Sequence, residues 1–415
     1  MLRLPGTLNM PSYDALVIGA GPAGATAALM LARAGWSVAV VEKALFPRRK
    51  VCGEFISATS LPLLRELGLA AAYLAQAGPQ VRQVGFYAGD TMLAADMPRP
   101  QDEAQAYGRA LGREHFDALV LNAAAMAGAE VWQPWKLTEV EKVAGGFAAT
   151  AVAQDRRGSI QLHARIVIAA HGSWEPGSLP TQIAAGPPRA SDLFAFKARF
   201  LNSRLPAGLM PLLVFPGGYG GMVHSDGGRA SLSCCIRRDY LARCRRLWPN
   251  TQAAEAVISH LRASCRGVDT ALAGATRDAA WLAAGPIRPG IRAFRRDGIF
   301  AVGNAAGEAH PIVAEGISMA IQSSWLLCER LIAHQAEIRS GRTTAALASD
   351  YAASWRRNFA RRVHAAAIFA HLAMRPAAAQ AAAAVLKRAP VLLTLGASMS
   401  GKAQPLGALQ RSDPA

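Results

Sequence analysis

The sequence predicts an α/β fold: a Rossmann-type nucleotide-binding domain interleaved with a β-sheet domain, plus a C-terminal helical extension. Three observations carry this. The chain opens with a strand–helix–strand unit. Short apolar strands of the same kind return at Arg165 to Ala170 and at Gly298 to Gly303. Between them lie strand-rich segments punctuated by glycine and proline. The chain therefore leaves one sheet, builds another and comes back. Residues 10–75, 105–175 and 286–335 are assigned to the nucleotide-binding domain. Residues 76–104 and 176–285 form the substrate domain, and 336–415 the helical region.

In chain order, Ala15 to Gly19 is a buried strand of the parallel type, an apolar run without alternation. An alanine- and leucine-rich helix follows from about Gly21 to Ala34, closed by Gly35. Ser37 to Val41 is the second strand and ends at Glu42. Leu61 to Leu69 reads as a helix, and Val81 to Met97 as short strand-like pieces. Arg113 to Val131 is helical and turns into a strand after Gly128. Thr138 to Leu162 is a meander of short strands. Pro176 to Pro188 is a proline- and glycine-rich boundary. Leu193 to Ile236 is strand-rich and Arg237 to Cys265 helical. A long helix begins at Glu315, and Ser340 to Ala415 is an alanine-rich helical extension with a polar tail. There is no internal repeat.

Of the 415 residues, 52% are hydrophobic and 18% charged, which supplies a real core and excludes a disordered chain. The net charge of +17 admits nucleic acid, a membrane surface or an acidic partner. No zinc-finger spacing, RNA-recognition signature or basic-aromatic repeat accompanies it, so no nucleic-acid partner is expected. The six cysteines, Cys52, Cys234, Cys235, Cys244, Cys265 and Cys328, include no C-x-x-C pair. Neither a disulfide framework nor a metal site is indicated. Met1 to Met10 lacks the apolar core of a signal peptide, and no apolar run reaches membrane-spanning length uninterrupted. The expected compartment is the reducing cytoplasm.

Gly19-Ala20-Gly21-Pro22-Ala23-Gly24 is a G-x-G-x-x-G between the first strand and the first helix. Gly19 allows the tight turn, and Gly21 lets backbone approach a pyrophosphate. Gly24, with Ala28, lets helix and sheet pack closely. The helix N-terminus offers free N–H groups to phosphate. Glu42 is placed to accept hydrogen bonds from an adenosine ribose.

The distant run Asp297 to Gly307 continues to His310-Pro311 and Glu315-Gly316-Ile317. It resembles the second FAD fingerprint of the para-hydroxybenzoate hydroxylase superfamily. More narrowly, the chain is similar to the branch with geranylgeranyl reductases, flavin-dependent halogenases and related hydroxylases. The resemblance implies FAD as cofactor, with NAD(P)H or a separate reduced-flavin supply as electron source. It places Gly303, Asn304, Pro311, Glu315, Gly316 and Ile317 at the ribityl chain and flavin. Arg113, in R-E-H-F-D, would lie near the FAD. Lys50-Val51-Cys52-Gly53 is similar to the segment beside the flavin ring, and with Lys43 it completes the expected cofactor set. Two departures stand out. Asn304 replaces the usual aspartate, and His171 takes the acid's place in the A-D-G strand motif.

For the reaction, Cys52, Tyr219 and Pro311 are the candidate catalytic residues. Tyr219 lies in F-P-G-G-Y-G-G, which resembles the sheet edge facing the flavin. Halogenation is disfavoured, because no lysine occurs between Lys50 and Lys136 and no W-x-W occurs anywhere. The expected activity is monooxygenation: hydroxylation of an aromatic or hydrophobic substrate through a flavin hydroperoxide. The alternatives are reduction of prenyl-type double bonds and a flavin electron carrier. The preference for hydroxylation rests on the tail's lack of an obvious membrane anchor. The arginines of Arg237 to Arg246 and Arg356 to Arg362 read as solvated faces or as docking sites for an acidic carrier protein or substrate peptide. Val385 to Ser400 either lies on a membrane surface or packs back on the fold.

Overall fold

The strand Ser12–Ile18 is buried over nearly its whole length because it sits in the middle of a parallel sheet. The computed structural model describes residues 11–99, 107–156, 158–173, 176–182, 186–342 and 344–399. In its first sheet, Ser12–Ile18 has Val38–Val41 on one side and Ser159–Ala169 on the other, both parallel to it. Glu130–Trp132 and Ile299–Ala301 extend the sheet in parallel at the two sides. Gly146–Ala153 pairs antiparallel with Ser159–Ala169, and Trp135–Val143 with Gly146–Ala153. The apolar strand at Arg165 to Ala170 is thus the second half of one long strand whose first half belongs to the meander. Because the chain turns one way from Ser12–Ile18 and later returns on the other side, a crevice opens at the carboxyl ends of these strands.

Helix α1 (Pro22–Arg33) is buried on every face except at its last residue. It lies between the sheet, α4 (Arg113–Met126) and α8 (Gly316–Ala333), and a helix apolar all round belongs inside. A Cβ on Gly24 would stand 1.8 Å from the Gly19 carbonyl oxygen, so only glycine fits there. The helix expected over Leu61 to Leu69 is α2 (Leu61–Glu66), followed by α3 (Ala70–Gln76). Gly68, at φ +63°, separates the two.

The second sheet contains Leu193–Leu201, Ala230–Arg237, Gly218–His224, Leu209–Phe215, Gln83–Ala88 and Thr91–Asp96, paired in that order. Its pairings are antiparallel except between Leu209–Phe215 and Gln83–Ala88. Leu282–Ile287 adds to Leu193–Leu201. Alternation along each strand gives the sheet two faces. Phe196, Phe200, Leu213 and Phe215 pack on one face against α6 (Ala253–Ser264) and its neighbours α5 (Arg238–Leu247) and α7 (Arg266–Ala271). The single helical stretch expected from Arg237 to Cys265 is thus broken after Leu247. Trp248 leaves helical geometry, and Cys265 is extended.

After α8 come α9 (Gln335–Arg339), α10 (Ala345–Ala373), α11 (Pro376–Arg388) and α12 (Val391–Ala397). Trp355 and Phe359 of α10 anchor it in the first domain's core. Its distal end crosses to the free face of the second sheet. There Ala383 of α11 packs with Phe86 and Val214. The polar tail, 400–415, lies outside the described residues, as does the start, Met1 to Met10.

Candidate active site

One cavity of about 930 Å³ lies where the carboxyl ends of the parallel strands meet the free face of the second sheet. The turn from the first strand into α1 contributes Gly19, Gly21 and Ala23 to its wall. Gly19 holds φ +97°, and Pro22 starts the helix with no N–H to lose. The Glu42 carboxylate, 5% exposed, accepts hydrogen bonds from the Ala20 N–H at 2.8 Å and the Ala44 N–H at 3.0 Å. Two backbone donors thus hold it at the end of the second strand, facing the same space. Trp135 also lines the cavity there.

Around this turn the structure gathers Lys43, Arg48, Lys50 and Arg113, all on the cavity wall. Arg113 makes a bidentate pair with buried Asp117, both contacts at 2.6 Å. Arg48 lies 3.4 Å from Asp117 and 3.6 Å from Glu42, and its Nη1 has no hydrogen bond. Burial, with Arg48 and Arg113 adding to it, pulls the Lys50 ammonium down to about 8. Four cations here face two carboxylates, Glu42 and Asp117, which leaves an excess of positive charge. That excess, next to a free helix N-terminus, fits the pyrophosphate of a dinucleotide.

The second fingerprint closes the other side. Gly303, at φ +58°, sits where a Cβ would stand 2.8 Å from the Ala23 Cβ, so the two glycine motifs touch. Asn304, Pro311, Gly316 and Ile317 line the cavity. Glu315 does not. Its carboxylate is buried against Ser57 at 3.1 Å, with Arg362 at 3.9 Å, and it holds the start of α8 from behind. Gly24 is likewise behind the wall, in the packing role its position requires. Glu54 and Ala314, at φ +64° and +53°, are non-glycine residues in the left-handed region, and both face the cavity. Such strain collects at functional sites.

His171 hydrogen-bonds Gly172 O at 2.9 Å and Thr181 Oγ1 at 2.8 Å, and burial pulls it down to about 4. It is therefore a neutral ring filling a loop at the cavity wall.

Cys52 also faces the cavity, and its sulfur accepts from the Glu54 N–H at 3.4 Å. Arg113 and Lys197 flank it. Lys197 pairs with Glu54, and neither side chain reaches solvent. Sequence reading missed this pair, although a lysine inside the apolar strand FAFKARF was its signal. Tyr219 is 1% exposed, and burial holds its phenol protonated. Its Oη lies 3.2 Å from the His310 Nδ1. Burial, helped by His371, pulls His310 down to about 4, so the ring beside the tyrosine is neutral.

The apolar wall draws on only some strands of the second sheet. Phe194 and Phe196 do not line it. Met210, Leu212 and Val214 do, together with Phe86, opposite a roof formed by the distal part of α10, α11 and α12. Of the arginines on α5 and just before it, Arg237 pairs with Asp239 and Arg238 with Asp192. Among the described residues no cluster of metal-ligating side chains occurs.

The sequence profile described as FAD binding domain matches residues 12–367. A menaquinone reductase of Mycolicibacterium smegmatis is 26% identical over 405 residues, 94% of this chain and 91% of that protein. Digeranylgeranylglycerophospholipid reductase 1 of Methanopyrus kandleri is 27% identical over 377 residues, 84% and 87% of the two chains. Among solved structures, the myxobacterial chondrochloren halogenase CndH superposes with a TM-score of 0.74 at 20% identity, over 94% of this chain and 91% of that one.

Proposed function

Because this chain belongs to the FAD binding domain family, we propose that it is an FAD-dependent reductase acting on double bonds in the prenyl-type chain of a lipid. Its coarser description, an FAD-dependent oxidoreductase, does not depend on that choice. The observation that carries the finer reading is the roof. Every cavity-lining residue from 378 to 399 is alanine, glycine, valine, leucine or methionine. A long hydrocarbon chain needs such a wall and nothing polar from it. The sequence-based preference for hydroxylation rests on the tail's lack of an obvious membrane anchor, and an apolar roof over the cavity weighs against it. Two relatives named for lipid substrates, one of them by name a prenyl lipid, support the same reading.

The first turn of α1 with Arg48, Lys50 and Arg113 would hold the pyrophosphate, and Glu42 the adenosine ribose. Gly303 and Asn304 would take the ribityl chain, and the start of α8 the flavin's pyrimidine side. Bound and reduced, FAD supplies a hydride equivalent. Tyr219 holds the proton that completes saturation at its Oη, and neutral His310 orients it. Cys52 lies on the same wall. Electrons come from NAD(P)H or from a partner reductase.

The test is anaerobic incubation of the chemically reduced holoprotein with a geranylgeranyl lipid, followed by mass spectrometry. A gain of two hydrogens per saturated bond, with flavin reoxidation dependent on the lipid, is expected. No lipid-dependent reoxidation, together with a gain of one oxygen on an aromatic or carrier-bound substrate in air, would replace reduction by hydroxylation.

A further inference from the structure

We infer that the distal end of α10 together with α11 and α12 is a docking surface for an anionic lipid bilayer, with the mouth of the cavity facing the membrane. The inference rests on the lipid reading for its purpose only, since its geometry stands separately.

Thirteen large hydrophobic residues are exposed among the described residues, and eight of them fall between Ile368 and Met399. Scattered apolar residues are ordinary on a protein surface, whereas this concentration is not. Six of the eight, including Phe369, Leu372 and Leu395, also line the cavity, so the apolar surface is continuous with its mouth. Ile368 at 61% exposure and Val391 at 69% do not line it and face outward. α11 and α12 meet at a bend of 115°. The pair has the length and composition of a broken or re-entrant apolar segment, while no single described helix is long and apolar enough to cross a membrane. Two short helices bent against each other and packed on a sheet can enter the outer part of one leaflet without crossing it.

Charge selects the occupant. From residue 351 to 399 the sequence holds seven arginines and lysines and no acid. Arg375 at the start of α11 and Lys387 and Arg388 at its end are exposed beside the apolar patch. Long basic side chains bordering an apolar face snorkel to anionic headgroups while their stems stay with the acyl region. A second copy of this chain would bring the same three positive charges, Arg375, Lys387 and Arg388, against their copies.

The experiment is co-sedimentation of the FAD-loaded protein with vesicles of phosphatidylcholine alone and of phosphatidylcholine mixed with phosphatidylglycerol. Binding is expected to the mixed vesicles and to rise with their anionic fraction. Removing each charge in Lys387→Gln and Arg388→Gln should weaken it about fivefold. Val391→Asp should weaken it roughly tenfold or more on either vesicle. Flavin absorbance is the control for folding. Turnover of detergent-dispersed lipid should be unchanged in all three variants, which separates failure of docking from failure of the proposed reaction. Binding to neither vesicle would overturn the inference. A dimer that Val391→Asp makes monomeric would also overturn it and assign the face to a second copy.

Discussion

Tyr219 and His310 show how burial sets a residue's task. Burial holds the phenol protonated and keeps the histidine 3.2 Å from it neutral, so the tyrosine stays a proton holder. Tyr219→Phe keeps the ring and its packing against Met374 and Cys235 while deleting that proton. The variant should therefore retain FAD and thermal stability but lose turnover roughly a hundredfold, within the range of general acid catalysis. Stopped-flow reoxidation of the reduced variant by lipid measures it. A rate equal to that of the parent would remove Tyr219 from the chemistry. The Glu54–Lys197 pair belongs to the same scale. Its members lie far apart in sequence, one in a loop and one in a strand, so nothing local announced that they would meet.

At the scale of elements, the glycine motif shows what a sequence discloses. Strand, turn and helix are adjacent in the chain, and each glycine answers to a local demand, so Gly19, Gly21, Glu42 and the second fingerprint at Gly303 were legible. Gly21 and Gly24 can now be separated. A Cβ on Gly21 meets only Arg113 Nη2 at 3.7 Å, an ordinary contact, and projects into the cavity. A Cβ on Gly24 collides with Gly19 O at 1.8 Å. Gly21→Val should thus fold and lose its flavin, whereas Gly24→Val should fail to fold. Far-UV circular dichroism and flavin occupancy after purification check both, and a yellow Gly21→Val protein would displace the pyrophosphate from this turn. Illegible were Glu315 and the roof. Glu315 follows the fingerprint closely, yet at the cap position before α8 its carboxylate is turned to Ser57. The apolar residues of α11 and α12 face the cavity only because α10 carries them across to the second sheet, a placement that no local pattern encodes.

Across the whole molecule, the cavity is a seam between two sheets, and the seam holds two histidines that cannot keep a proton. His171 lies at the end of the strand joining the domains, and His310 on the turn that faces the second sheet. Each is pulled to about 4, first by burial; nearby Arg292, Lys43 and Lys50 add to this at His171, and His371 at His310. Unfolded, each titrates near 6.5. Between those values the unfolded chain binds protons that the folded chain does not, so stability rises with pH through this interval. Stability is therefore held above about pH 6.5 and lost as pH falls toward 4, by up to about 3 kcal/mol for each histidine. Urea unfolding at a series of pH values should show the midpoint dropping across this window. His171→Asn, which keeps a short polar side chain but cannot titrate, should flatten the slope by about half. An unchanged slope in that variant would mean that the acid sensitivity lies elsewhere. FAD, bound only by the folded chain, should raise the midpoint throughout. Its phosphates beside Lys43 and Lys50 would also offset the charges that depress His171, so the holoprotein should lose less stability across this interval than the apoprotein.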